Sequence, residues 1–248
     1  MIDESHDNPG GRTGGFAFCP DSHPKVLGGG VRIDAQNIDI EVASTHARFD
    51  PTTQDPDMWV AQANDNSGHD SSMTTTVICG RGNFEYPDDF NEASQGCGGP
   101  CPVQGVVECP GTTRITGGGI HTSGDHFDEV SSTRPVDGSD RNSKPDDAWL
   151  GEASQGSMRV QAVCAHRGRF RYVHTARLPL PGGAQRRASV TCPAHTELTG
   201  GGVDISGHSS ALEVSETYPA GNAWKGGAIN DGPGPAETWQ VFAVCRVR

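Results

Sequence analysis

One frame occurs three times in this chain of 248 residues, and it constrains the fold more than any other feature. It opens with Cys-Pro, continues through a triple glycine, Glu-Val, a tryptophan and an alanine, and closes with an apolar residue before a second cysteine. The opening and closing cysteines are Cys19 and Cys79, Cys109 and Cys164, and Cys192 and Cys245. A repeat of this kind predicts one structural unit used three times.

Between these landmarks, apolar and polar residues alternate with the period of half-buried β-strands. Residues 31–34, 38–43 and 74–79 show this alternation in the first copy. Glycine (34 residues) and proline (17 residues) are abundant, which disfavours long helices and favours short strands joined by turns. We therefore predict an all-β fold with antiparallel pairing, because the connections are too short for helical crossovers.

The connectors between copies also belong to the repeat, since residues 81–84 (Arg-Gly-Asn-Phe) match residues 167–170 (Arg-Gly-Arg-Phe). The first copy has only a fragment of such a connector before it, as expected for a closed ring cut within one. The predicted architecture is one compact, pseudo-threefold, β-prism-like domain stabilised by disulfides, with tandem β-sandwiches as the alternative. Its parts are an N-terminal arm at residues 1–15 and β repeats at residues 16–83, 84–168 and 169–248.

Eight cysteines form an even set, and six of them occupy equivalent positions in the three copies. The simplest pairing joins the first and last cysteine of each copy, while pairing between neighbouring copies stays open. The remaining two, Cys97 and Cys101, would close a small local loop, or would contribute to a zinc site if a second pair of ligands were available. A chain this rich in bridges is expected in an oxidising location, which is secreted, extracellular or at the cell surface.

The net charge of −12 argues against nucleic acid as a partner, because phosphate binding needs a positive surface. The one local basic run, residues 167–171 with Arg186 and Arg187 nearby, fits solvated strand faces. No apolar run approaches the roughly 18 residues of a membrane span, so no membrane insertion is expected. Residues 1–6 lack the basic and apolar regions of a signal peptide, which leaves the export route open.

The frame of Cys-Pro, Gly-Gly-Gly-Val, Trp and Ala-Val-Cys resembles repeats in secreted proteins of high-GC bacteria. The resemblance covers all three copies, and it implies a shared fold without implying an activity, a cofactor or a ligand. The first copy departs from the frame: His46 and Ala47 stand where the other copies have Arg134-Pro135 and Tyr218-Pro219.

Four tryptophans are the first candidates for a binding site. Trp59, Trp149 and Trp224 recur in the three copies and could each stack on a sugar ring. The interpretation we favour is that each packs over its own triple glycine, because large aromatics dominate cores and glycines make room for a ring. Trp239 has no counterpart in the other copies, and we expect it to be the exposed one.

Acidic residues form the second set of candidates. Glu41, Glu129 and Glu213 recur, and strand alternation with the following valine predicts that they point outward. The acidic loops could supply part of the six to eight oxygens that calcium requires, although turns also favour such residues. The weak calcium candidates are Asp65, Asp70, Asp137 and Asp140.

These features favour a non-enzymatic binding module for glycan or cell-surface material, with no cofactor except possible calcium. The candidate binding residues are Trp239, Tyr218, Glu213, Asp125 and Asp128. One alternative is a structural subunit of an extracellular filament or surface layer, in which copies of the chain assemble by strand addition through the N-terminal arm. The other is a hydrolase with a site in a single repeat, although no histidine recurs in all three copies.

Overall fold

In the residues that it describes, the structure, a computed structural model, has twenty β-strands in three sheets. It describes residues 1–8, 11–34, 40–49, 56–65, 71–92, 102–122, 129–139, 144–207, 209–234 and 236–248. All the strand pairs in these residues are antiparallel, and no described residue lies in an α-helix. The prediction of an all-β, antiparallel fold is confirmed.

Strand numbers follow the chain, whereas the spatial order of strands within each sheet does not. Sheet A contains β1 (Ile2–Asn8), β6 (Ser71–Gly80), β3 (Lys25–Asp34), β18 (Leu212–Ala220), β19 (Ala223–Asn230) and β16 (Ala184–Thr191). Sheet B contains β2 (Gly11–Phe18), β5 (Pro56–Asp65), β4 (Ile40–Phe49), β10 (Arg114–Thr122), β13 (Ser157–Ala165) and β7 (Phe84–Glu85), with β8 (Asp88–Glu92) also paired to β13. Sheet C contains β14 (Phe170–His174), β20 (Glu237–Val247), β17 (Thr196–Ile205), β11 (Val130–Val136), β12 (Ala148–Ala153) and β9 (Val103–Glu108), with β15 (Leu178–Leu180) also paired to β20.

Each sheet joins half of one copy to half of the next. In sheet A, the triple-glycine strand β3 of the first copy lies beside the Glu-Val strand β18 of the third. The corresponding junctions are β10 with β4 in sheet B and β17 with β11 in sheet C. At every junction the apolar residue after the triple glycine pairs with a threonine: Val31 with Thr217, Ile120 with Thr45, and Val203 with Thr133. This sharing of sheets argues against three independent sandwiches, and the β-prism-like closure stays a prediction that it supports.

The segment predicted as an N-terminal arm is paired within its own chain. The β1 strand pairs with β6, the closing strand of the first copy. In the second copy, β8 pairs with the closing strand β13, and in the third copy β14 and β15 pair with the closing strand β20. The β2 strand lies beside β5, the counterpart of β9 beside β12 and β16 beside β19. The β1 and β2 strands therefore pair within the chain as the connector strands of the other copies do, and the division into an arm and three repeats stays a prediction.

The three glycines of each triplet make three different close contacts. The first glycines of the copies approach one another, since a Cβ atom on Gly28 would meet Gly200, one on Gly200 would meet Gly117, and one on Gly117 would meet Gly28. The third glycines lie against the Glu-Val strand of a neighbouring copy, as Gly30 does against Thr217. The middle glycines lie under a tryptophan ring. No residue with a side chain fits at these positions without moving a backbone.

The tryptophan on each middle glycine joins the two sheets in which its copy takes part. Trp149 of β12, in sheet C, covers Gly118 of β10, in sheet B, and its Nε1 donates to Thr133 Oγ1 at 2.9 Å. Trp59 over Gly29 and Trp224 over Gly201 repeat this arrangement, with bonds of 2.8 and 2.9 Å to Thr45 and Thr217. All three rings are buried with their polar atom satisfied. They belong to the core, as we favoured from the sequence.

Three disulfides join the opening and closing cysteines of each copy: Cys19–Cys79, Cys109–Cys164 and Cys192–Cys245. The pairing within copies is therefore confirmed, while Cys97 and Cys101 lie outside the described residues. Each opening cysteine follows a strand of one sheet and each closing cysteine lies in a strand of another, so every bridge also links two sheets. A bridge closing more than 50 residues stabilises the fold by about 4 kcal/mol in the chain-entropy model.

We expect Gly118→Ala to destabilise the protein by about 3 kcal/mol or more, because the added methyl would overlap the Trp149 ring and the Gln161 carbonyl oxygen. For a domain of this size, that loss lowers the melting temperature by roughly 6–12 °C. Gly234→Ala is the matched control, since a Cβ atom there meets nothing within 4 Å. Equal melting temperatures for both variants would contradict the ring-on-glycine contact.

Candidate functional site

Trp239, predicted to be exposed, is buried. Its side chain is 1% accessible, and its backbone pairs with Ile205 of β17 on one side and Leu178 of β15 on the other. The prediction is wrong because the indole ring packs in the main hydrophobic cluster, which residues of all three copies form. Tyr218, by contrast, is partly exposed and lines a cleft on sheet A.

The repeated glutamates do not point to solvent. Glu41, Glu129 and Glu213 are 5%, 8% and 5% exposed. The prediction of outward side chains is wrong because their strands, β4, β11 and β18, contact one another as well as their sheet neighbours, so both faces of each strand are covered. Ser154 Oγ lies 3.3 Å from Glu129 Oε2 and also accepts the Glu129 backbone N–H.

The buried glutamates influence one another electrostatically. Burial raises the pKa of Glu213 well above its ordinary value, and the nearby carboxylates of Glu129, Glu41 and Asp231 raise it further. A hydrogen bond with Glu129 raises the pKa of Glu213 in the same direction, so the protonated form of the Glu213 carboxyl is favoured. The described part of the chain contains no group of three or more His, Cys, Asp or Glu side chains arranged to hold a metal ion.

Two of the acidic loop residues have a described position. Asp65 is buried at the end of β5, and Asp137 is exposed after β11. Asp70, Asp125, Asp128 and Asp140 lie outside the described residues, so the calcium loops stay a prediction.

At each junction between two copies, two positions on the outer side of the sheet differ from copy to copy. The first is the residue after the junction threonine. The second is the residue after the apolar residue that pairs with this threonine. In sheet C these are Arg134 and Asp204, whose Nε and Oδ1 atoms are 2.8 Å apart, and Arg177 adds a bond of 2.9 Å to the same carboxylate. This junction is closed by an ion-pair network.

In sheet B the same two positions hold His46 and His121. Their rings meet edge to face with centroids 4.8 Å apart, and they line a cavity of about 240 Å³ with Arg48, Arg159 and Gln161. Burial lowers the pKa of His46 to about 4 and lowers the pKa of His121, and the neighbouring positive groups add to both effects. Both rings are therefore neutral at pH 7, and the His46 Nδ1 atom lies 3.0 Å from the Ala47 carbonyl oxygen.

In sheet A the two positions hold Tyr218 and Arg32, which line a cleft of about 480 Å³. Lys225 Nζ lies 5.9 Å from the centre of the Tyr218 ring, within the range of a cation–π contact. Thr74 and Thr76 of β6 supply hydroxyl groups to the cleft wall. The result is an aromatic face bordered by hydrogen-bond donors and acceptors, which is the composition of a site for a small polar ligand.

Sequence reasoning identified Tyr218 but missed Arg32, Lys225 and Thr74. The signal available was the column after the triple glycine and its apolar residue, which reads Arg32, His121 and Asp204 in the three copies. When one position carries different charges in copies that otherwise match, the packing that fixes the neighbouring residues does not fix the residue at this position. Its partner on the next copy could only be identified once the sheets were known.

No protein-family model matches the chain, and no curated protein sequence is significantly similar to it. Within the described residues, no helix is long and apolar enough to span a membrane. Support for a function therefore comes from the chemistry of the clefts.

We expect Glu213→Gln to stabilise the protein at alkaline pH relative to wild type. The folded pKa of Glu213 lies above its ordinary value of 4.5, so the wild-type free energy of unfolding should fall as pH rises above that value. Its slope should be at most about 1.4 kcal/mol per pH unit, and the variant should lose this contribution. Urea unfolding at pH 5 and pH 8 measures the difference between the two proteins.

Glu197→Gln is the control for this series, because its carboxylate is 46% exposed beside Arg248. A Glu213→Gln protein that is no more stable than wild type at pH 8, or a Glu197→Gln protein with the same gain, would show that burial of Glu213 does not govern the pH dependence.

Proposed function

We propose that this protein is a non-enzymatic extracellular binding module whose ligand is a saccharide, bound in the Tyr218 cleft of sheet A. The observation that carries the proposal is the partly exposed Tyr218 ring at the border of two copies, with Lys225 and Arg32 lining the same cleft. The three disulfides fit an oxidising, extracellular environment.

A saccharide suits this cleft for two physical reasons. The C–H face of a sugar ring is apolar and packs against an aromatic face, which removes both surfaces from water. Its hydroxyl groups both donate and accept hydrogen bonds, and the cleft offers hydroxyls from Thr74 and Thr76 and charged donors from Lys225 and from Arg32, which is also paired with Asp34. At the corresponding junction of sheet C, the ion pair of Arg134 and Asp204 occupies the equivalent place.

The two alternatives receive less support. A serine and a histidine approach each other at Ser44 and His121, where Oγ and Nδ1 are 3.4 Å apart. Ser44 is fully buried and its Oγ already accepts the Thr122 N–H, which makes it a poor nucleophile for a hydrolase. Donation of the N-terminal segment to a neighbouring sheet would require β1 to leave its pairing with β6, whereas strand addition to the outer edge of β1 would not.

Tyr218→Ala should weaken saccharide binding at least tenfold, because it removes the aromatic face while leaving the cations in place. Tyr218→Phe should retain most of the affinity if stacking dominates. A glycan array identifies a binding saccharide, and titration calorimetry with that saccharide compares the variants. The proposal fails if the wild type binds no neutral or charged saccharide on the array.

Phe16→Ala is the matched control, since Phe16 is an exposed aromatic on β2 of sheet B, outside the cleft. Equal losses for Phe16→Ala and Tyr218→Ala would indicate non-specific aromatic contact and would count against the cleft.

A further inference from the structure

A second cavity, of about 350 Å³, collects positive charge from all three copies. Each copy places an arginine one to three residues after its closing cysteine, and these arginines, Arg81, Arg167 and Arg246, all line the cavity. The floor includes Leu27 and Thr116, which directly precede two of the triple glycines. The cavity therefore lies where the strands β3 and β10 approach each other, and none of its lining residues belongs to the Tyr218 cleft.

The arginines of this cavity are not neutralised by acidic partners. Within the described part of the chain, Arg167 and Arg246 make no ion pair, and the Arg81 Nε donates to the Ser22 carbonyl oxygen at 2.5 Å. Among the residues with a described position, no carboxylate lines the cavity. Glu85 contacts His166, a lining residue, at 2.8 Å, and Glu197, which pairs with Arg246 across the strands, contacts Arg248 at 3.7 Å.

Such an arrangement is unusual in a chain with a net charge of −12. Like charges that converge on a concave surface repel one another and concentrate a positive potential in the cavity. Guanidinium groups present several N–H donors in a fixed plane, which matches the oxygens of a sulfate, phosphate or carboxylate group. The volume also falls within the range of small-molecule sites, about 300–1,000 Å³.

The cavity walls add two aromatic rings at equivalent positions. Phe84 and Phe170 each stand two residues after a glycine with positive φ, which is 137° for Gly82 and 135° for Gly168. A Cβ atom on Gly168 would lie 2.9 Å from the Phe170 ring, so this repeated turn holds the ring in place against the glycine. The rings give the site apolar walls beside its charged groups, so that a ligand with a ring or carbon body fits better than a bare ion.

We infer that this arginine cavity is a second ligand site, which binds a sulfate, phosphate or carboxylate group carried on a larger molecule. The cations of three copies contribute to it, so the site requires the assembled fold and no single repeat would contain it. The basic run that fitted solvated strand faces in the sequence supplies one of its walls through Arg167.

The test compares binding of dextran sulfate, phosphorylated dextran, carboxymethyl dextran and neutral dextran to the intact protein, with sodium sulfate and sodium phosphate as free ions. We expect at least one charged polymer to bind, neutral dextran not to bind, and the free ions to bind at least tenfold more weakly. The three charged polymers identify the preferred group. The affinity should fall as sodium chloride rises, because salt screens the attraction.

The double variant Arg167→Gln, Arg246→Gln should lose at least tenfold in affinity for the preferred polymer, while Arg186→Gln should bind as wild type does. Arg186 is an exposed arginine on β16 of sheet A, outside the cavity, and its substitution removes one charge of the same kind. The inference is overturned if no charged polymer binds, if neutral dextran binds equally well, or if Arg186→Gln weakens binding as much as the double variant does.

A matching melting temperature for the double variant separates loss of a ligand group from loss of the fold. Tyr218→Ala should leave binding of the charged polymer unchanged, and the double variant should leave binding of a neutral saccharide in the cleft unchanged. The proposal for the Tyr218 cleft and the inference for the arginine cavity can therefore be contradicted independently of each other.

Discussion

The contact on which the rest of this structure depends is the tryptophan ring lying on the middle glycine of each triplet. It joins a strand of one sheet to a strand of another within the same copy, and the indole N–H is satisfied by the junction threonine. Without a side chain at Gly29, Gly118 or Gly201, the ring can approach the backbone closely enough to exclude water. The first and third glycines of each triplet also lack a side chain, so strands of neighbouring copies can approach them closely. A chain with only 33% hydrophobic residues can bury a large cluster with Trp149 and Trp224 and a smaller one with Trp59 in this way, because backbone takes the place of some side chains in the packing.

Strand sharing separates the residues that hold the fold from those that are free to change. The inner positions at each junction repeat closely in the three copies, whereas the outer positions carry an aromatic with a cation, a pair of histidines, or an ion-pair network. All three pairs occupy the same place relative to their sheets, and the pair in sheet A leaves the Tyr218 ring beside an open cleft. The repeat thus supplies a scaffold, and divergence between copies supplies the chemistry.

Charge is also separated within the molecule. Glutamates from three copies are buried where the Glu-Val strands approach one another, and burial there favours the protonated carboxyl of Glu213. Arginines from the same three copies line a cavity beyond the closing cysteines. In both places the repeat brings like-charged groups together, with opposite consequences. Glu213 can become neutral by taking up a proton, whereas guanidinium groups keep their charge at any pH of interest and can be neutralised only by an anion.

The sequence alone determined the strand content and the antiparallel pairing, and it favoured the disulfides within copies and the packing of three tryptophans on their glycines, because these follow from local alternation and from landmarks that recur in every copy. It failed for Trp239 and for the direction of Glu41, Glu129 and Glu213. In each case the outcome depends on a strand from elsewhere in the chain. Trp239 packs in a hydrophobic cluster built from all three copies, and neighbouring copies cover the glutamates. The cleft and the arginine cavity were decided by tertiary structure for the same reason: their walls come from different copies, and spacing along one strand carries no information about which copy lies beside it.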